Sequence, residues 1–276
     1  MSRVAALFAL VLVVLLGAAT DARVAAASIQ QVSPPVFSDE FNGPAGSQPD
    51  PARWGYDIGR YGANAGEMQY YTDRPANVSM DGRGDLRIVA RPEPYHRALY
   101  TSGRIQTRNQ FNPQYGRIEA RIKVPAGRGL LPAFWLLGSD VDEGTPWPQS
   151  GEIDAMEIRG NDPSIYYGTV HGPQFGDPSN DIPEQRTQSA PARFSDGFHV
   201  YGIEWRQNVI QFLVDGVPVG SALTDSSYAA LGGQWAFNKP FFLILNLAVG
   251  NGWTGRPTIT TRWPAVMLVD WVRAFG

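Results

Sequence analysis

The chain contains no cysteine. That excludes disulfides, thiol nucleophiles, zinc fingers and iron–sulfur ligation, and with them a lipid anchor on sulfur. Lysine is almost missing as well: of 23 basic residues only Lys123 and Lys239 are lysines, a bias with no chemical reading. The net charge is −3 and the isoelectric point about 5.6, so the basic footprint that nucleic acid or an anionic membrane selects is absent. No glycine loop stands ready to cradle phosphate at a helix start, and no redox ligand set exists. Nucleotide, flavin and haem chemistry therefore find no support. No stretch offers an amphipathic helix of three turns, and no repeat or linker divides the chain.

The longest apolar run, Val4 to Leu16, falls short of the ~20 residues that a membrane helix requires. It follows Arg3 and precedes a small-residue stretch through Ala27, which is the order of a secretory signal. Residues 1–27 are therefore expected to be an export signal, cut after Ala19, Ala22 or Ala27, and the mature protein to be secreted. Residues 28–276 are expected to form one domain. Asn77-Val78-Ser79 fits a glycosylation sequon, a triplet too common to carry weight alone.

What is abundant is glycine (30), proline (22) and aromatic side chains, eight Trp, eleven Tyr and thirteen Phe. So many aromatics suggest a surface that stacks flat ligands. Ile118, Ala120, Ile122 and Val124 alternate with Arg117, Glu119, Arg121 and Lys123, as a strand with one buried face requires. Asp215-Gly216 between Ile210–Val214 and Val217–Val219 predicts a hairpin with a two-residue type I′ turn. Residues 241–249 are apolar except for Asn246, which predicts a central strand and a polar partner for that amide. A last strand runs over residues 267–275. Regular short strands with Gly and Pro turns predict an all-β, two-sheet antiparallel sandwich.

Three acids interrupt one such strand: Glu152, Asp154 and Glu157, at positions i, i+2 and i+5. Glu152 and Asp154 share a face by the period of two, whereas Glu157 belongs on the other. A β-bulge near Ala155-Met156 adds one residue and returns Glu157 to the carboxylate face. The two glutamates are then effectively four positions apart, roughly 13 Å between Cα atoms, and must lean inward over Asp154. Like charges at close range force pKa values apart. Glycoside hydrolysis uses that separation, one carboxylate attacking the anomeric carbon while the other, protonated, releases the leaving oxygen; retaining enzymes hold them about 5–5.5 Å apart. A calcium site and a solvated acidic face are the competing readings of the same residues.

Several motifs resemble glycoside hydrolase family 16, in particular its bacterial endo-1,3-β-glucanases, the laminarinases. They are Ser38-Asp-Glu-Phe41, Glu67-Met-Gln-Tyr-Tyr-Thr72, Tyr100-Thr-Ser-Gly-Arg-Ile105, Gly116-Arg-Ile-Glu-Ala-Arg121, Pro132-Ala-Phe-Trp-Leu-Leu-Gly138, Trp147-Pro-Gln-Ser-Gly-Glu-Ile-Asp154, Gly168-Thr-Val-His-Gly172 and Pro240 through Val249. The resemblance runs from about Phe37 to Phe275. It implies a concanavalin-like β-jelly-roll with an open cleft and net retention, with Glu152 as nucleophile, Glu157 as general acid/base and Asp154 as the carboxylate between them. It also implies substrate contacts at Trp135, Arg104, His171, Trp147, Asn64, Glu67 and Trp253, although Trp135 also suits a core, Arg104 a plain surface charge and Trp147 a turn. His199, Glu204 and Trp205 are expected mainly as core strand residues.

No cofactor is implied as required. Glu40, the Gly82 carbonyl and Asp270 resemble a structural calcium site of some members, and a salt bridge explains the same residues nearly as well. The implied partner is a β-glucan polysaccharide and the expected state a monomer. Three departures fall where substrate contacts belong: Leu131 replaces an aromatic, and the loops Gly62–Glu67 and Gly250–Trp253 are reordered. The alternatives to a 1,3-β-glucanase are a non-catalytic glucan-binding protein and a family 16 hydrolase for mixed-linkage glucan or galactan.

Overall fold

A computed structural model describes residues 34–276; the expected export signal lies outside the described residues. Seven antiparallel strands form the sheet that carries the site: β1 (Gly55–Tyr56), β2 (Arg104–Gln106), β3 (Leu130–Gly138), β4 (Glu152–Ile158), β5 (Ile165–His171), β6 (Glu184–Ser189) and β7 (Phe241–Val249). Their spatial order is β6-β5-β4-β3-β7-β2-β1. A second sheet runs in the order Val217–Pro218, Val209–Val214, His199–Arg206, Gly116–Lys123, Ala265–Phe275, Leu86–Tyr95, Ala98–Ser102 and Gln69–Tyr71, with three short strands at its side. This is the all-β two-sheet sandwich that the strand pattern predicts, and it agrees with the jelly-roll that the resemblance implies.

One core fills the space between the sheets. Ile118, Ala120 and Ile122 reach it from one sheet, and Phe134, Leu136, Ile153, Leu243, Leu245 and Leu247 from the other. All nine residues of β7 are buried, which is why that run is apolar but for Asn246. Asp215 and Gly216 have φ of 51° and 75°, as a type I′ turn demands. Among the described residues the one α-helix is Asp225–Ala229, started by a Thr224 capping box. Trp205 is buried and its indole donates to the Phe237 carbonyl, in keeping with a core role.

One expectation changes, and two sets of residues find their partners. The sandwich is not wholly antiparallel, because Gln69–Tyr71 pairs in parallel with Ala98–Ser102. A parallel pair needs a long crossover, and residues 72–97 supply one by passing through Val78–Met80 and Leu86–Tyr95. The Asn77 sequon is buried, its amide donating to the Val89 carbonyl and Thr101, so it ties its loop to two strands and offers no acceptor for a sugar. Both carboxylates of the expected calcium site are paired with arginines. Both Glu40 oxygens accept from Arg273 at 2.8–2.9 Å, and Asp270 accepts from Arg121. These are the salt bridges of the alternative reading of the same residues.

Candidate active site

The carboxylate strand β4 is irregular at one place. Glu152 and Asp154 pair across to Leu137 and Trp135 of β3, and then Met156 and Glu157 pair to Phe134 and Ala133. Ala155 is the extra residue, and the same shift appears against β5. Ala155 and Met156 are consecutive yet both fully buried in the core, so the strand skips one alternation. Met156 alone contributes roughly 1.5–3 kcal/mol by its burial. The Tyr166 hydroxyl donates to the Ala155 carbonyl at 2.8 Å, which satisfies the backbone group that the bulge would strand. Tyr166 in turn stacks on Tyr201, ring planes 5° apart. Core packing thus holds the bulge, and the bulge turns Glu157 to the face of Glu152 and Asp154.

Around that row the neighbouring strands supply a polar floor. Ala133 of β3 lies beside Glu157, Asn246 of β7 beside Ala133, and Arg104 of β2 beside Asn246. Asn246 finds the partners its place in an apolar strand demands: it accepts from Trp135 Nε1 at 2.7 Å and donates to the Tyr71 hydroxyl at 3.0 Å. The Arg104 guanidinium lies over the Trp135 ring at 4.7 Å and over Tyr61 at 4.9 Å, and its Nε donates to Asp57 at 2.7 Å. Arg104 therefore covers part of the Trp135 ring, and both line one cavity with Glu67, Tyr71, Leu131, Glu152, Asp154, Glu157 and Asn246. Glu67 accepts from Gln69 at 2.5 Å, and burial pushes its pKa up.

On the other flank His171 of β5 is the direct cross-strand partner of Glu152. Its Nε2 lies 3.5 Å from Asp154 and its Nδ1 2.6 Å from Asp181. Trp147, 49% exposed, donates from its indole to Glu152 at 3.0 Å, so it belongs to the cleft rim. Trp253, 37% exposed, lines a groove with Glu157, Thr169, His171 and Gln185. An Asx turn at Asn251 and edge contact with Tyr167 fix its position. Asn64 alone is not drawn in; it sits exposed in the short turn Ala63–Ala65, while its neighbour Gly62 lines the cavity.

The three acids differ in electrostatics as they do in place. Burial, then the charges of Glu152 and Glu157, push Asp154 well above the usual carboxylate range. Of these two neighbouring carboxyls, Asp154 is held further toward its protonated form. Burial also raises Glu152, but His171, Arg104, Asp154 and the Trp147 indole all work against the rise. Glu157 is pushed up to about 7 by burial and by the charge of Glu152. One acid is thus supplied with donors and cations that favour ionisation, and its partner keeps a proton to near neutrality.

The sequence profile described as glycosyl hydrolases family 16 matches residues 62–273, which span this bulged strand and both flanks. The chain belongs to that family. It is 40% identical over 248 residues to a beta-glucanase of Rhodothermus marinus, covering 87% of this chain and 84% of that protein. The family 16 fold here superposes on the laminarinase catalytic domain of Thermotoga maritima with a TM-score of 0.76 at 38% identity, covering 87% of this chain and 96% of the other. The endo-beta-1,3-glucanase of Pyrococcus furiosus gives 0.76 at 39% identity, covering 87% and 93%. As a family 16 member the chain is a glycoside hydrolase.

Residues that sequence reasoning did not single out are Tyr71, Asp181, Gln185 and Tyr166. Tyr71 and Tyr166 lie in apolar or aromatic runs that read as core, and only the partner of each hydroxyl reveals its role. Asp181 lies in a polar hairpin with no pattern of its own.

Proposed function

We propose that the protein is an exported, monomeric, endo-acting 1,3-β-glucanase that retains anomeric configuration by double displacement. In the first step the Glu157 proton passes to the glycosidic oxygen as a Glu152 oxygen attacks the anomeric carbon. The C–O bond to the leaving sugar breaks, a Glu152 ester forms, and Glu157 is left ionised. In the second step Glu157 takes a proton from water, the water oxygen attacks the same carbon, and Glu152 leaves as carboxylate. Asp154, neutral, donates to Glu152 and so steadies it as nucleophile and as leaving group.

The observation that carries this reading is the bulge at Ala155. It places a donor-supplied carboxylate and a proton-holding carboxyl on one face, with cross-strand partners four residues apart on β3. The names of the Rhodothermus, Thermotoga and Pyrococcus relatives support β-glucan, and 1,3-linked glucan in particular, as the substrate class. Leu131, where the resemblance leads one to expect an aromatic, lines the cavity and offers less ring stacking to a sugar.

Release of reducing ends from laminarin, lichenan, galactan and agar tests the assignment. Fast release from laminarin as a ladder of oligosaccharides is expected, with Glu152→Gln binding laminarin and cleaving none. Wild-type protein that binds glucan and cleaves none of the four would make it a binding module, and cleavage of galactan or agar alone would move the substrate.

A further inference from the structure

Asp181 ends the short strand Asp177–Asp181, which pairs with Pro173–Gln174 outside both large sheets. Nothing in the double displacement calls for it. Its Oδ2 nevertheless lies 2.6 Å from His171 Nδ1, and its Oδ1 is buried with no hydrogen-bond partner. The side chain is 20% exposed, yet a carboxylate oxygen covered without a partner is costly, and a hairpin that needed only closure would be served by a neutral side chain. The partner it has is the imidazole that faces the reacting acids, with Nε2 3.5 Å from Asp154 Oδ2.

We propose that Asp181 is a positioning residue for catalysis. It accepts the Nδ1 proton of His171, fixes the ring, and so holds a cation against the Asp154–Glu152 pair. This rests on the double-displacement reading. The groups facing His171 are Glu152, Asp154 and Glu157 from β4, Asp181 from the hairpin, and the Trp147 indole with its ring 6.0 Å away. Burial disfavours the imidazolium, but the Asp181 hydrogen bond and the charges of Glu152, Asp181 and Glu157 outweigh it, and the His171 pKa rises. That cation lowers the pKa of both Glu152 and Glu157. During the first step negative charge leaves Glu152 and develops on Glu157, so a fixed cation near both suits the site before and after the step. A neutral imidazole free to turn would serve neither.

Asp181→Asn keeps an acceptor oxygen of the same reach and removes the charge. His171 should then lose its proton at lower pH, and both glutamates should rise. The acidic limb of kcat/KM, set by ionisation of Glu152, moves up by about one pH unit, which is about a tenfold loss on that side. The alkaline limb, set by the Glu157 proton, moves up with it, so the optimum shifts to higher pH while KM stays within about twofold. Asp181→Glu restores most of the profile. The double variant Asp181→Asn/His171→Asn loses no more than His171→Asn alone, because one residue acts through the other.

A purely structural Asp181 predicts an even loss at all pH values and losses that multiply, and either result overturns the proposal. Wild-type protein supplies a check that needs no variant. Imidazole titration by NMR should place His171 above the ordinary 6.5, and His171 titrating at or below that value also overturns it. Inversion of configuration by wild-type enzyme would instead sink the double displacement, with the His171 titration still judged on its own.

Discussion

Replacing Glu157 by glutamine should stabilise the fold at alkaline pH while it abolishes catalysis. The wild-type side chain is held from the ordinary 4.5 up to about 7, by burial first and by the Glu152 charge second. At about 1.36 kcal/mol per pH unit this amounts to roughly 3 kcal/mol of preference for the protonated form. The sign follows from linkage. The folded-state pKa lies above the unfolded one, so the stability is whole below about pH 4.5 and is lost as pH rises through 7. Glutamine cannot ionise and loses nothing. Water in the open cleft screens part of the effect, so about 2–3 kcal/mol is expected at pH 8, or roughly 5–10 °C in Tm for a domain of this size. Thermal unfolding of both proteins at pH 4.5 and pH 8 reads the difference directly. Similar midpoints at pH 4.5 with the glutamine variant well ahead at pH 8 are expected. A gap that does not change with pH, or a glutamine variant less stable at pH 8, would refute a proton held on Glu157 by its surroundings.

Tyr166→Phe removes the donor to the Ala155 carbonyl and leaves a buried oxygen without a partner, a cost of about 1–3 kcal/mol in chemical denaturation. Because the bulge also aims Glu157, kcat should fall further than KM changes. Asn246→Ala strands both the Trp135 indole and the Tyr71 hydroxyl; a loss of about 2 kcal/mol or more and a raised KM for laminarin are expected, measured by denaturation and steady-state kinetics. Glu157→Ala with added azide should recover turnover and form a β-glycosyl azide, since a small anion enters where the general base has gone; an α-azide would mean that Glu152 is not the nucleophile.

Much of this architecture was legible in the chain because it is local. Alternation over residues 117–124, the Asp-Gly turn and the apolar run of β7 each follow from a few neighbouring side chains. The bulge was legible because i, i+2, i+5 conflicts with a period of two and one extra residue resolves it. Contacts that join distant segments were not legible. Asn246 announces a need for a partner, but its partners Trp135 and Tyr71 are 111 and 175 residues away. Asp181 acquires meaning only when the Pro173–Gln174 hairpin folds it back on His171. The same holds for Glu40 and Asp270: counting oxygen donors there does not reveal Arg273 and Arg121, which the long last strand and its neighbour bring to the same carboxylates.

Proton NMR of laminarin hydrolysis in its first minutes tests most directly whether Glu152 and Glu157 act on one linkage from one face. New reducing ends should appear as the β-anomer and only later drift to the equilibrium mixture. An α-anomer at the start would mean that water displaces the sugar in a single step, and the bulged strand would not be the double-displacement device described above.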